Sequence, residues 1–209
     1  RTDWNLENAA GGLVRVNRHR EILFQLDAPA NQFAVVLSGA YKLSRFTPEG
    51  DEAIIYFTSP GDVIAALVMS QENPRYPVTV KAMGPSRVLL IDRSTYTQEW
   101  LKYPNLIMRV QGLLSTRMNR FQNQKLMLRA PLQAKIASLL LQMIAKENST
   151  ELEVPIPLTR KDIADSLGAS VESVIRVMSD WEKAGTIITS EQHIKIIQPE
   201  SLVKATDQN

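Results

Sequence analysis

Glu172 and Arg176 are the side chains best suited to chemistry in this chain of 209 residues, and that chemistry is recognition. An arginine can donate a bidentate pair to guanine O6 and N7, and a carboxylate can accept from the amino group of cytosine. At roughly 100° per helical residue, Glu172, Arg176, Ser179 and Lys183 share one stripe, opposite Val174, Val177 and Trp181. Ile175 flanks the stripe, placed for a thymine methyl, and Val171 immediately precedes Glu172. Thr159, Arg160, Ser170 and Ser173 supply hydroxyls and a cation for phosphates, which position a protein on a duplex without reading sequence. The competing reading makes Glu172 and Arg176 an ordinary i,i+4 ion pair, stabilising a solvated helix by about 0.2–0.5 kcal/mol.

The elements that must position these groups are legible in residues 160–179. Ile163, Ala164 and Leu167 form the apolar stripe of a short helix, Gly168 breaks it, and Ala169 and Ser170 complete a turn. Val174, Val177, Met178 and Trp181 line the buried face of a second helix. Thr159 and Ser170 stand at the two N-caps, and Thr159 with Asp162 fits the reciprocal capping pattern. This is the spacing of a helix-turn-helix, whose second helix enters the major groove of double-stranded DNA.

Upstream, Leu132–Glu147 reads as a helix with Ile136, Leu139, Leu140, Met143 and Ile144 on one face, followed by a loop at Lys146–Thr150. Downstream, Thr186–Thr189 and His193–Gln198 read as strands around Ser190-Glu191-Gln192, so the reader is a winged helix. His193 and Lys195 are either phosphate contacts or part of a solvated hairpin. Charge adds little: residues 131–209 hold eight Lys and Arg against eleven Asp and Glu, a net of −3, although the whole chain is +2. The case for DNA rests on geometry rather than on a basic surface.

Residues 13–93 carry short apolar runs at Glu21–Leu26, Gln32–Leu37, Ala40–Phe46, Ala53–Phe57, Val78–Met83 and Ser86–Ile91. Gly and Pro punctuate them, the spacing of a sandwich or jelly roll. A metal-dependent jelly-roll enzyme needs clustered histidines and carboxylates. Only His19 and His193 are present, far apart in sequence, so the chain is read as no enzyme. Asn105–Arg129 changes period: Leu106, Val110, Leu113, Arg117, Phe121 and Leu128 recur at helical steps between Pro104 and Pro131. Such a helix is either a dimer seam or packed only on its own barrel. It carries Arg109, Arg117, Arg120, Lys125 and Arg129 with no acid between Asn105 and Ala130. These cations either pair with acidic loops and solvent, or Arg117 and Arg120 meet an anionic effector between barrel and helix.

The expected class is therefore α+β. A jelly-roll sensor domain spans 1–104, a dimerisation helix 105–130 and a winged helix-turn-helix domain 131–209. No apolar run is long enough to span a bilayer and nothing resembles a signal peptide, so no membrane role is expected and the expected compartment is the cytoplasm. The absence of cysteine rules out iron–sulfur clusters and thiol sensing through this chain. The chain begins at Arg1, which leads us to expect residues ahead of it.

With strands, long helix and reader in that order, the chain resembles the CRP/FNR superfamily of bacterial transcription regulators. The residues carrying the likeness are Leu37-Ser38-Gly39, Pro48-Glu49-Gly50-Asp51, Ser59-Pro60-Gly61-Asp62, Tyr103-Pro104-Asn105, Leu158-Thr159-Arg160 and Glu172-Ser173-Val174-Ile175-Arg176. The resemblance implies a cyclic-nucleotide-binding-like barrel and a homodimer joined through the long helix. Its two recognition helices would enter successive major grooves about 34 Å apart on a palindrome, with RNA polymerase as a further partner. Glu172 and Arg176 match the pair that reads TGA-type half-sites, while Val171 replaces the arginine that reads a further guanine in the cAMP-responsive branch.

Departures narrow the signal. Ala65-Ala66-Leu67 stands where cyclic-nucleotide binders carry Gly-Glu-Leu or Gly-Glu-Ile. Pro74-Arg75-Tyr76-Pro77 stands at the phosphate motif, with Arg75 one place early and no hydroxyl after it. Phe121 replaces the helix hydroxyl that meets adenine. A phosphate without its cradle loses charge-assisted bonds, which argues against cAMP. Met or Tyr can ligate haem iron, but no histidine lies at the junction of barrel and helix, so haem-based gas sensing is the lesser alternative. The effector is unidentified, with Arg75, Tyr76, Arg117, Arg120 and Phe121 as candidate contacts. The alternative is an effector-independent regulator, or a protein-interaction module with a non-functional pocket.

Overall fold

Short apolar runs between Leu13 and Asp92 build eight strands in the computed structural model, which describes residues 12–98, 102–126, 129–144 and 152–207. They are β1 (Leu13–Asn17), β2 (Ile22–Phe24), β3 (Gln32–Ser38), β4 (Tyr41–Phe46), β5 (Glu52–Phe57), β6 (Val63–Ile64), β7 (Thr79–Ala82) and β8 (Ser86–Asp92). Two four-stranded sheets result, ordered β1-β8-β3-β6 and β2-β7-β4-β5. One hydrophobic cluster draws on both: Phe33, Val35, Leu89 and Ile91 from the first sheet, Tyr41, Leu43 and Val80 from the second. This is the expected jelly roll.

The Gly and Pro punctuation is structural. Gly39 turns the chain from β3 into β4 at φ +74, and a Cβ there would stand 2.3 Å from Ser86 Oγ and 2.7 Å from the Pro85 carbonyl. Only glycine fits both the backbone and the space. In the Ser59–Asp62 turn, the Gly61 N–H donates to the Val36 carbonyl and the Val36 N–H to the Asp62 carbonyl, at 2.8 and 2.9 Å. Those bonds place β6 beside β3.

After β8 come α1 (Arg93–Gln98) and α2 (Pro104–Leu126). The apolar positions of α2 serve the barrel: Val110 is buried in its core, and Ile107, Leu113 and Leu114 pack against it. Of the two readings of this helix, seam or barrel contact, Val110 and Leu113 make the barrel contact. Met108 and Met118, 68% and 57% exposed, lie elsewhere on the helix. The expected helical positions Met127 and Leu128 lie outside the described residues, as does the loop expected at Lys146–Thr150.

The chain divides into two compact units, Arg1–Arg45 with Ile55–Phe121, and Phe46–Ile54 with Gln122–Asn209. In the second, α3 (Leu132–Ile144) buries Ala134, Ile136, Ala137, Leu139, Leu140 and Met143. It packs on α4 (Arg160–Leu167), α5 (Val171–Lys183) and α6 (Pro199–Thr206). The hairpin of β9 (Ile187–Ser190) and β10 (His193–Ile196) completes a winged helix-turn-helix. Residues 152–158 run antiparallel along β10: the Val154 and Leu158 N–H groups donate to Ile194 and Gln192 carbonyls, each at 2.8 Å. Val154, Ile156 and Leu158 are buried between the less buried Pro155 and Pro157.

Candidate nucleic-acid interface and barrel cavity

Local rules fix the reader. The Thr159 hydroxyl accepts from the Asp162 N–H at 3.0 Å, and the Asp162 carboxylate accepts from the Thr159 N–H at 3.2 Å, closing the expected capping box. Helix α4 ends at Gly168, φ +61, and Ser170 caps α5 by accepting from the Ser173 N–H at 3.2 Å. Ile163 and Ala164 of α4 are buried, as are Val174, Met178 and Trp181 of α5. That packing turns the opposite face of α5 outward.

Glu172 and Arg176 are both exposed there, and Ile175 is 46% exposed beside them. Among the described residues no ion pair joins Glu172 to Arg176. Both side chains face solvent. Val171 is half-buried in the first turn of α5.

The groups expected at phosphates divide. The Thr159 hydroxyl also donates to Asp162 Oδ2 at 2.7 Å, so the capping box takes both its donor and one lone pair. A phosphate bond from this hydroxyl would displace the Asp162 carboxylate as its acceptor, while Oγ1 could still accept from the Asp162 N–H. The Ser170 hydroxyl donates to Ser173 Oγ at 2.9 Å, which leaves the Ser173 hydroxyl proton as the outward donor of the pair. Arg160 is engaged as well. Its Nη2 lies 2.8 Å from Glu182 Oε1 and 3.1 Å from Thr189 Oγ1, tying the start of α4 to the end of α5 and to the wing. Sequence reading missed this clamp, since its members lie 22 and 29 residues from Arg160.

The wing turns through Glu191 and Gln192, at φ +46 and +70, between the paired residues Ser190 and His193. Two consecutive positive φ values define the mirror-image turn that suits a twisted hairpin. His193 Nδ1 faces Glu153 Oε1 at 3.4 Å, and Lys195 is exposed. The other histidine, His19, donates from Nδ1 to the Met83 carbonyl at 2.7 Å.

Of the barrel's expected effector residues, Arg75 and Tyr76 have described side chains. Arg75 is exposed and donates to the Asp27 carbonyl. Tyr76 is buried, its ring stacked on Phe24 with centroids 4.2 Å apart and its hydroxyl donating to the Gln32 carbonyl at 2.8 Å. Burial pushes its phenol above the ordinary value. Arg117, Arg120 and Phe121 lie on α2, with their side chains outside the described residues. Tyr76 instead helps to line a cavity of about 160 Å3, together with Leu43, Val63, Ala66, Val78 and Leu114. Ala65, a non-glycine residue in the left-handed region at φ +67, also lines it. Sequence reading missed the cavity, although the alanines at 65 and 66 were its visible sign.

Among the described residues, no group of three or more His, Asp and Glu could hold a metal ion, and no helix is long and apolar enough to cross a membrane. The family model for the cyclic nucleotide-binding domain matches residues 14–103, and that for the Crp-like helix-turn-helix domain matches residues 134–205. The chain belongs to the CRP/FNR superfamily and is a transcription regulator with a DNA-binding helix-turn-helix.

Its relatives include the transcriptional activatory protein AadR of Rhodopseudomonas palustris, 26% identical over 184 residues, covering 86% of this chain and 75% of AadR. The nitrogen fixation regulation protein FixK of Azorhizobium caulinodans is 26% identical over 204 residues, covering 95% and 81% of the two chains. Among solved structures, FixK2 from Bradyrhizobium japonicum superposes with a TM-score of 0.82 at 21% identity, covering 93% of this chain and 96% of that one.

Proposed function

We propose that this chain is a homodimeric, cytoplasmic transcription regulator that reads a palindrome with TGA-like half-sites, modulated by a small effector other than cAMP. The observation carrying this reading is the exposed Glu172 and Arg176 on α5, unpaired with each other among the described residues, over a buried Val174, Met178 and Trp181 face. Arg176 reads guanine and Glu172 the neighbouring cytosine, while Ile175 and Val171 meet thymine methyl groups. Ser170, Ser173 and an Arg160 released from Glu182 set the register on the backbone.

The second copy packs on the face of α2 that the barrel leaves open, where Met108, Gln111, Gly112, Ser115 and Met118 recur at three- and four-residue steps. RNA polymerase is the further partner. The effector acts by favouring one arrangement of the two long helices. Ala65 and Ala66 in place of the ribose-binding motif, and Arg75 on the Asp27 carbonyl, support the exclusion of cAMP.

Arg176→Ala tests the reading in a binding titration against a TGA palindrome and single-base variants. It should cost about 1–3 kcal/mol and relax preference at one base pair of each half-site. An unchanged preference would show that Arg176 is not the reader.

A further inference from the structure

The barrel cavity has the size and lining of a site for a particular class of molecule. No charged side chain lines it among the described residues. Its walls are aliphatic and aromatic, from Leu43 and Ile55 on the sheet through Val63 and Val68 to Leu114 on α2. Two polar side chains in or beside the wall are committed elsewhere, the Tyr76 hydroxyl to the Gln32 carbonyl and the Arg75 guanidinium to the Asp27 carbonyl, while Tyr56 adds a phenol to the lining. Ala65 and Ala66 contribute only methyl groups. A charge buried against such walls loses its water without gaining an opposite charge. A dry apolar cavity of about 150 Å3, by contrast, binds benzene, and this one measures about 160 Å3.

We propose that the barrel cavity binds a small uncharged apolar molecule, about the size of a single aromatic ring. The proposal deepens the effector reading above and rests on it for regulatory meaning. Leu114 gives the site its link to α2, since a ligand filling the cavity touches the helix on which the dimer reading depends.

The test uses the purified full chain with toluene and benzoate, two single rings that differ by a methyl and a carboxylate. Calorimetry and ligand-observed NMR report binding, and DNA affinity is measured separately. Toluene should bind with a dissociation constant of about 1 mM or tighter, and benzoate about tenfold more weakly or worse. Val78→Phe and Ala66→Leu each fill the cavity from a different wall, and either one that keeps its native circular dichroism should lose toluene. Failure of toluene to bind, benzoate binding as tightly as toluene, or toluene binding that survives in both folded variants would each overturn the proposal. Toluene binding that vanishes in the filled variants but leaves DNA affinity unchanged would uphold the site and remove the effector reading instead.

Discussion

Glu182→Gln separates two roles for Arg160. The Arg160 guanidinium lies 2.8 Å from the Glu182 carboxylate and 3.1 Å from the Thr189 hydroxyl, with side-chain exposures of 23% for Arg160 and 35% for Glu182. A pair this open to water is worth about 0.2–1 kcal/mol. For Arg160 to hold a phosphate, that interaction must be given up, and the Glu182 carboxylate opposes the incoming phosphate. Neutralising Glu182 removes both costs. DNA affinity should therefore rise by roughly 1.5- to 5-fold, the Boltzmann equivalent of the pair energy, and by the same factor on target and scrambled duplexes. Fluorescence anisotropy on both duplexes at several salt concentrations provides the assay. Arg160→Ala in the same experiment should weaken both duplexes alike and lower the salt slope by about 1. Weaker DNA binding by Glu182→Gln at unchanged thermal stability would refute the reasoning. It would mean that Glu182 holds the guanidinium in its DNA-binding position rather than competing with it.

Gly39→Ala should cost more than about 2 kcal/mol in urea denaturation, because it adds a backbone penalty at φ +74 to a Cβ 2.3 Å from Ser86 Oγ. Gln192→Gly should stabilise the wing unit by about 0.5–1 kcal/mol, read as a rise in its melting temperature, by relieving a side chain at φ +70. Burial pushes the Tyr41 phenol up to about 12. The unfolded chain thus loses this proton first, near its ordinary value of about 10, and the Tyr41 contribution, complete below that pH, falls away as pH rises toward 12. Tyr41→Phe should lack this alkaline loss of up to about 2.7 kcal/mol. At neutral pH it should cost about 1–3 kcal/mol, because Tyr41 Oη donates to the buried Asn17 Oδ1 at 3.0 Å. Urea titrations of both proteins across that pH range check the difference.

What could be read from the sequence was whatever local rules decide. Thr159, Asp162, Gly168 and Ser170 announced caps and a turn because capping depends on residues three or four apart. The two-residue strand β6 was not legible, since Val63 and Ile64 become a strand only by pairing with Val35 and Ala34. The wing's neighbour at 152–158 was hidden differently. Its period of two was present in Leu152, Val154, Ile156 and Leu158, but Pro155 and Pro157 read as breakers. They are tolerated because the donating N–H groups belong to Val154 and Leu158. Helix α6 was missed although Pro199 stands at its first turn, a start signal the sequence displayed. For Arg160, Glu182 and Thr189, and for Arg75 on the Asp27 carbonyl, partners depend on tertiary packing, which residue spacing does not reveal.

Selection of binding sites from a random DNA pool, with the purified chain at moderate salt, tests the central claim most directly. A palindrome with TGA-like half-sites one helical turn apart is the predicted outcome, since it requires both the Glu172–Arg176 readout and a symmetric dimer. Recovery of a motif that lacks either the symmetry or the TGA-like core would contradict it.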